Sequence, residues 1–156
     1  IRKTPYLKSL IRDNNLEEVV TVLAKKSVFI IHHCDELISL TKQWYKDGKK
    51  IFSLVLDYKL INMEAIILSN ILFGRREEFY ITIPTTIDKD FLKAISICIS
   101  KHIDVPVNYK LNQINILNVK DYFKKVAGNL PTYHIAELIT FLTEKEKKRI
   151  REEISI

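Results

Sequence analysis

Apolar positions gather into three short, bounded runs, VFIIHH (28–33), IFSLVL (51–56) and FYITI (79–83), each rich in β-branched or aromatic residues and none alternating cleanly with polar ones. Runs of that kind mark strands buried on both faces, as in a parallel sheet. Between and after them the apolar residues recur at helical spacing over 35–47, 59–73 and about 88–102. The order βαβαβα predicts right-handed crossovers and an α/β fold, a three-layer αβα sandwich around a mainly parallel sheet. Two further strands are expected within VPVNY (105–109) and INIL (114–117).

The flanks read as helical. Thr4 followed by Pro5 has the form of an N-cap and first helical position, opening a helix that runs to about residue 24. Beyond the last strand, 119–127 forms a helix stopped at Gly128, and Pro131 starts another with Ile135, Leu138, Ile139 and Leu142 on one face. Thr143 with Glu146 matches a capping box, so EKEKKRIREE forms a separate, solvated terminal helix. The whole reads as a single domain over 1–156, with an α/β core at 1–118 and a helical C-terminal extension at 119–156.

Composition narrows the function classes. With 47% hydrophobic and 28% charged residues over 156 positions, the chain can bury a real core. No apolar run approaches the ~18 residues that span a bilayer, and no leader is visible, so the expectation is a soluble, cytoplasmic protein with no membrane partner. Cys34 and Cys98 are too few for a disulfide framework. The net charge of +6 favours an acidic partner or a phosphate backbone.

Several catalytic classes lack their residues. Gly48, Gly74 and Gly128 each fall just past an expected helix, where a left-handed residue is wanted, which leaves none for a phosphate-cradling loop. A Walker A loop, a GxGxxG turn, a GxSxG elbow, a CxxC pair and an HExxH helix are all missing. His102 and His134 stand alone in helical stretches and read as structural. No cofactor is expected.

The segment HHCDEL at the end of the first strand is different, because side chains at strand C-termini converge where α/β folds bind ligands. In its setting of helix, strand, helix, strand, helix and strand it resembles the N-terminal part of the DHH phosphoesterase superfamily, to which the exonuclease RecJ belongs. Active members carry His-x-Asp-x-Asp-Gly and hold two manganese ions that activate water for phosphodiester attack. The motif falls on His32, His33, Cys34, Asp35, Glu36 and Leu37, where only the first histidine is kept: Cys34 replaces an aspartate and Glu36 imitates the second. The aspartate expected at the end of the third strand falls near Pro84, and the Asp-His-His signature falls on Asn108 and Tyr109. The resemblance therefore implies an inactivated enzyme without metal, of which His32, Cys34, Glu36 and Pro84 are a remnant.

Inactivated RecJ-like proteins serve as replication scaffolds in eukaryotes and archaea, and a lysine- and isoleucine-rich chain with few glycines fits a thermophilic archaeal source. The resemblance thus implies a non-catalytic subunit of the DNA replication machinery that binds the GINS complex and supports the MCM helicase. Its contact is expected at Ile150 and Ile154, an apolar stripe on the charged terminal helix. One alternative is a small metal-dependent phosphoesterase or nuclease using the HHCDE segment. Another is a single-stranded nucleic-acid binder, with single-stranded DNA as partner, using Lys49, Lys50, Arg75 and Arg76 beside Tyr58 and Phe79.

Overall fold

The computed structural model describes residues 4–23, 25, 28–32, 34–52, 58–128 and 132–154. They divide between two units, 1–50 and 51–156, at a point where the sequence shows no linker.

Unit 1 opens with helix α1 (Thr4–Asp13), whose Leu7 and Ile11 lie four apart and are buried together with Tyr6. The helix does not run to residue 24. Asn14 turns its side-chain amide back onto the Leu10 carbonyl at 2.8 Å and Asn15 takes a left-handed φ of 55°, a pair of choices that ends a helix. The chain then enters strand β1 (Val20–Leu23), which pairs antiparallel with β2 (Val28–Ile31), Val20 opposite Ile31. Helix α2 (Asp35–Trp44) follows, and after it a hairpin of β3 (Tyr45–Lys46) and β4 (Lys49–Lys50). Asp47 and Gly48 both have positive φ, 50° and 73°, which matches the turn that right-twisted antiparallel strands need.

In unit 2, Ile51 and Phe52 are not in a strand, and the rest of the expected 51–56 strand lies outside the described residues apart from these two. Helix α3 (Met63–Phe73) is capped by Asn62, whose side-chain oxygen accepts from the Ala65 amide at 2.9 Å. It is apolar nearly all round and buries Ile66, Ile67 and Ile71, as a core helix must. Then come β5 (Arg75–Arg76), β6 (Tyr80–Pro84), a single 3-10 turn at Lys89–Phe91, α4 (Leu92–Ile103), β7 (Val107–Lys110), β8 (Gln113–Leu117), α5 (Val119–Ala127), α6 (Thr132–Ile139) and α7 (Glu144–Ile154).

The four strands form one sheet in the order β5-β6-β8-β7, and every pairing is antiparallel. The expected three-layer sandwich with a mainly parallel sheet is therefore corrected: the chain is mixed α/β with small antiparallel sheets. The physical reason lies in β6 and β8. Ile81 pairs with Ile116 and Ile83 with Ile114, and all four are buried on one face, against α3, α4 and α5, while Tyr80, Thr82 and Pro84 take the other. A strand reading Tyr-Ile-Thr-Ile-Pro alternates faces, but with Tyr and Pro on the second face the alternation is hard to see.

The glycine expectation of a left-handed residue just past a helix is met in full by none of the three: Gly48 is left-handed but sits in the β3-β4 turn, whereas Gly74 and Gly128 do follow helices. Gly74 has φ −62° and Gly128 φ −71°, neither left-handed. Gly74 is needed for space: a Cβ there would collide with the Asn70 side-chain and main-chain oxygens, and its amide donates to the Asn70 carbonyl at 2.8 Å. The capping box is found as expected. Thr143 N donates to Glu146 Oε2 at 2.8 Å, and Glu146 N donates back to Thr143 Oγ1 at 3.3 Å.

Candidate nucleic-acid interface

The register of the four-stranded sheet fixes which side chains share its second face. Arg75 pairs with Thr82, Thr82 with Asn115, and Asn115 with Asn108, so these four form one row across the strands. Pro84, Gln113 and Lys110 form the next row, and Tyr80 and Leu117 a third. Of these nine positions none is acidic, and the cations Arg75 and Lys110 stand on the two outer strands, both exposed.

Hydrogen bonds lock the central row. Thr82 Oγ1 donates to Asn115 Oδ1 at 2.8 Å, Gln113 Nε2 donates to the same oxygen at 3.0 Å, and Asn115 Nδ2 donates to Asn108 Oδ1 at 2.8 Å. Thr82 and Asn115 are buried, so their polar atoms must be satisfied by one another. Among the described residues this leaves Asn108 Nδ2 and Gln113 Oε1 without a protein partner, one donor and one acceptor held in place by the bonds their other atoms make.

The residues singled out in the sequence fall elsewhere or change role. Arg76 pairs with Ile81 and so belongs to the helix-covered face, where its Nη2 meets Glu146 Oε1 at 2.9 Å and its other nitrogens donate to main-chain carbonyls. Its guanidinium is thus engaged by other groups of the protein. Lys49 and Lys50 lie on β4 in unit 1, apart in sequence and in unit from Arg75. Tyr58 stacks on His102 at 4.5 Å between ring centroids, and its main-chain oxygen accepts from His102 Nε2 at 3.1 Å, so the two rings are engaged with one another. Phe79, by contrast, is 72% exposed in the turn between β5 and β6.

Among the described residues the HHCDE segment does not assemble a centre. His32 Nε2 lies 2.7 Å from Thr21 Oγ1 across the β1-β2 pair, and His33 lies outside the described residues. The Cys34 thiol donates to Glu36 Oε2 at 3.1 Å, which holds the Glu36 carboxyl below its ordinary range. Pro84 is in unit 2, at the end of β6. Among the described residues no three His, Cys, Asp or Glu side chains are grouped to hold a metal ion. Neither Cys34 nor Cys98 is in a disulfide. Ile150, expected as part of an outward stripe, is instead 5% exposed; the Ile154 side chain lies outside what is described.

Comparison with known proteins returned a fold and nothing finer. No protein-family model and no curated protein matches the chain. Among solved structures, the chain is similar to the homing endonuclease I-WcaI bound to its DNA recognition sequence, with a TM-score of 0.59 and 12% identity, over 86% of this chain and 70% of that one. At that identity the likeness is one of fold.

The match corrects the expectation of a chain without enzymatic activity. That expectation rested on ligands missing from a parallel-sheet superfamily, whereas the observed sheet is antiparallel and the similar structure is an endonuclease. With the parallel topology gone, GINS and MCM find no support in the fold. Among the described residues no helix is long and apolar enough to cross a membrane.

The polar row escaped the sequence reading, although one signal for it exists. QINIL (113–117) alternates cleanly, and VNYK (107–110) precedes it across a two-residue turn in which Asn112 has φ 62°, a hairpin signature.

Proposed function

We propose that the chain binds double-stranded DNA on the polar face of the β5-β6-β8-β7 sheet. The observation that carries this reading is the make-up of that face: nine positions without a carboxylate, a cation on each outer strand, and a hydrogen-bonded amide row between them. Phosphates on either side of a groove are drawn to Arg75 and Lys110, which supplies affinity independent of sequence. Asn108 Nδ2 and Gln113 Oε1 present a donor and an acceptor of the kind that read base edges, and a β-ribbon fits the major groove. The likeness in fold to an endonuclease bound to its DNA recognition sequence favours a duplex over the single strand considered from the sequence.

Titrating the full chain into fluorescein-labelled duplex DNA at 50 and 200 mM salt tests the proposal. Binding that weakens steeply with salt is expected, and a preference for single strands of the same sequence contradicts it.

DNA strand cleavage is a second reading, favoured by the same likeness. Its test is supercoiled plasmid incubated with the chain and Mg²⁺. Nicked or linear product supports it; intact plasmid at saturating protein removes it and leaves binding standing.

A further inference from the structure

The pairing of β7 with β8 fixes which main-chain groups face the open side of the sheet. Leu117 N donates to the Pro106 carbonyl at 2.9 Å, so residues 106 and 117 form a hydrogen-bonded pair, and by alternation so do 108 with 115 and 110 with 113. Val107 and Tyr109 therefore turn their N–H and C=O groups away from β8, and β7 is the last strand of the sheet. Their side chains lie on the helix-covered face, since their cross-strand partners Ile116 and Ile114 are buried there.

Between that edge and α4 lies a groove of about 330 Å³, lined from the strand by Val107 and Tyr109 and from the helix by Lys93, Ser96, Ser100 and Lys101. The four helical positions recur at i, i+3, i+7 and i+8 and so share one face. The charged side chains on the lining are both basic, and among the described residues neither lysine is in an ion pair; Asp104, just past Lys101, is held by Lys125 at 2.6 Å. Ser96 is 3% exposed, and its Oγ has no hydrogen-bond partner among the described residues. Buried hydroxyls are ordinarily satisfied, so this one marks an unmet contact. Ser100 differs: its Oγ donates to the Val105 carbonyl at 2.8 Å, which leaves it only lone pairs to offer a ligand.

This inventory selects a chemistry. The edge of a sheet is an anion-binding concavity, and two ammonium groups on flexible stems can close over an anion seated between them. A phosphomonoester, a near-dianion with three strong acceptor oxygens, matches two lysines and several donors better than a single carboxylate does. The groove is larger than a phosphate alone, and its remaining groups, the Ser100 lone pairs and the outward carbonyls of Val107 and Tyr109, need donors. Hydroxyls on a small ester supply them. A peptide strand added to this edge would lie in the plane of the sheet and leave Ser96, back on α4, without a contact.

We infer that the groove between α4 and β7 binds a small hydroxylated phosphomonoester of the sugar-phosphate class. Lys93, Lys101, Ser96 Oγ and an outward N–H of β7 hold its phosphate, and its hydroxyls donate to Ser100 Oγ and the strand's outward carbonyls. The inference is independent of DNA binding, since none of these side chains is on the sheet's polar face.

The probe is ribose 5-phosphate, titrated into the isotope-labelled full chain and followed by NMR amide shifts. Saturable shifts of the Val107 and Tyr109 amides are expected, with inorganic phosphate weaker by about threefold or more and ribose without effect. Lys93→Gln/Lys101→Gln is expected to weaken the ester about tenfold or more, whereas Lys145→Gln/Lys148→Gln on α7 leaves it within about twofold. Ser96→Ala is expected to weaken it about threefold or more. The spectra themselves establish that the variants fold; if the α4 lysine variant does not, Ser96→Ala decides, because it removes only an unpartnered hydroxyl. No shift at Val107 and Tyr109, equal affinity for inorganic phosphate and the ester, equal losses from the two lysine pairs, or no effect of Ser96→Ala overturns the inference. So does an extended acidic peptide that shifts the same amides at lower concentration than the ester, or a loss of duplex affinity in the α4 variant without ester binding by the parent, since these assign the groove to a protein strand or to a DNA backbone.

Discussion

Arg76 and Glu146 form a half-buried ion pair, Nη2 to Oε1 at 2.9 Å, that joins the edge strand β5 to the first turn of α7. The same carboxylate closes the capping box through Oε2, so one side chain both starts the last helix and fastens it to the sheet. Burial pushes the Glu146 carboxyl up, but the Thr143 amide, the Arg76 guanidinium and the Thr143 hydroxyl together outweigh it and hold the group below its ordinary value.

Glu146→Ala is therefore expected to destabilise the protein by about 1–3 kcal/mol, combining a lost cap with a guanidinium left half-buried. Urea unfolding followed by circular dichroism measures it. Because the folded carboxyl titrates below the unfolded one, this contribution is complete above the unfolded value of about 4.3 and is lost as pH falls through the folded value. The variant should lose less stability than the parent over that acid range.

His134 gives a pH dependence at a higher range. Its side chain is fully buried on α6, with Nε2 3.9 Å from Glu64 Oε1, and burial pushes the imidazole down more than that carboxylate raises it. Above about pH 6.5 both folded and unfolded states carry it neutral. Below that, the unfolded chain takes up a proton first and stability falls until the folded value is passed. Melting temperatures from pH 7.5 to 5 are expected to drop for the parent and to drop less for His134→Gln; equal slopes would show that another group is responsible.

Asn115 is the hub of the polar row, with bonds to Thr82, Gln113 and Asn108. Asn115→Ala leaves those groups to find water and is expected to cost about 1–3 kcal/mol by urea unfolding. It should also weaken duplex binding without changing the salt slope, because no charge is removed and only the orientation of the Asn108 and Gln113 amides is lost.

Helices were largely legible in the sequence because their signals are local. The 119–127 helix, the cap at Thr143 and Glu146, and the start of α2 at Asp35 all follow from side chains within four residues of one another. Strand direction is not local. Ile81 is placed opposite Ile116 by a register spanning α4 and β7, and nothing within FYITI distinguishes that from a parallel partner. The apolar spacing of α1 continues into VTVL, and only the Asn14 and Asn15 pair marks the break between helix and strand. The HHCDE segment drew attention by its residue types, yet chemistry depends on convergence: His32 is bonded to Thr21 and Cys34 to Glu36. The site residues Asn108, Gln113 and Asn115 are ordinary polar residues that acquire meaning only when strand pairing lines them up.

DNA binding by the sheet face is tested most directly by one comparison of charge-matched variants. Arg75→Glu/Lys110→Glu reverses both cations of that face, while Lys145→Glu/Lys148→Glu makes the same change of net charge at exposed positions on α7. With duplex DNA titrated over a salt series, the sheet double variant is expected to lose at least about tenfold in affinity at 100 mM salt and to lower the salt slope by about 2, one for each phosphate contact removed. The α7 variant should stay within about threefold of the parent. Equal losses from the two variants, or a parent chain that does not bind duplex DNA at all, would contradict the assignment of the β5-β6-β8-β7 face as the DNA-binding surface.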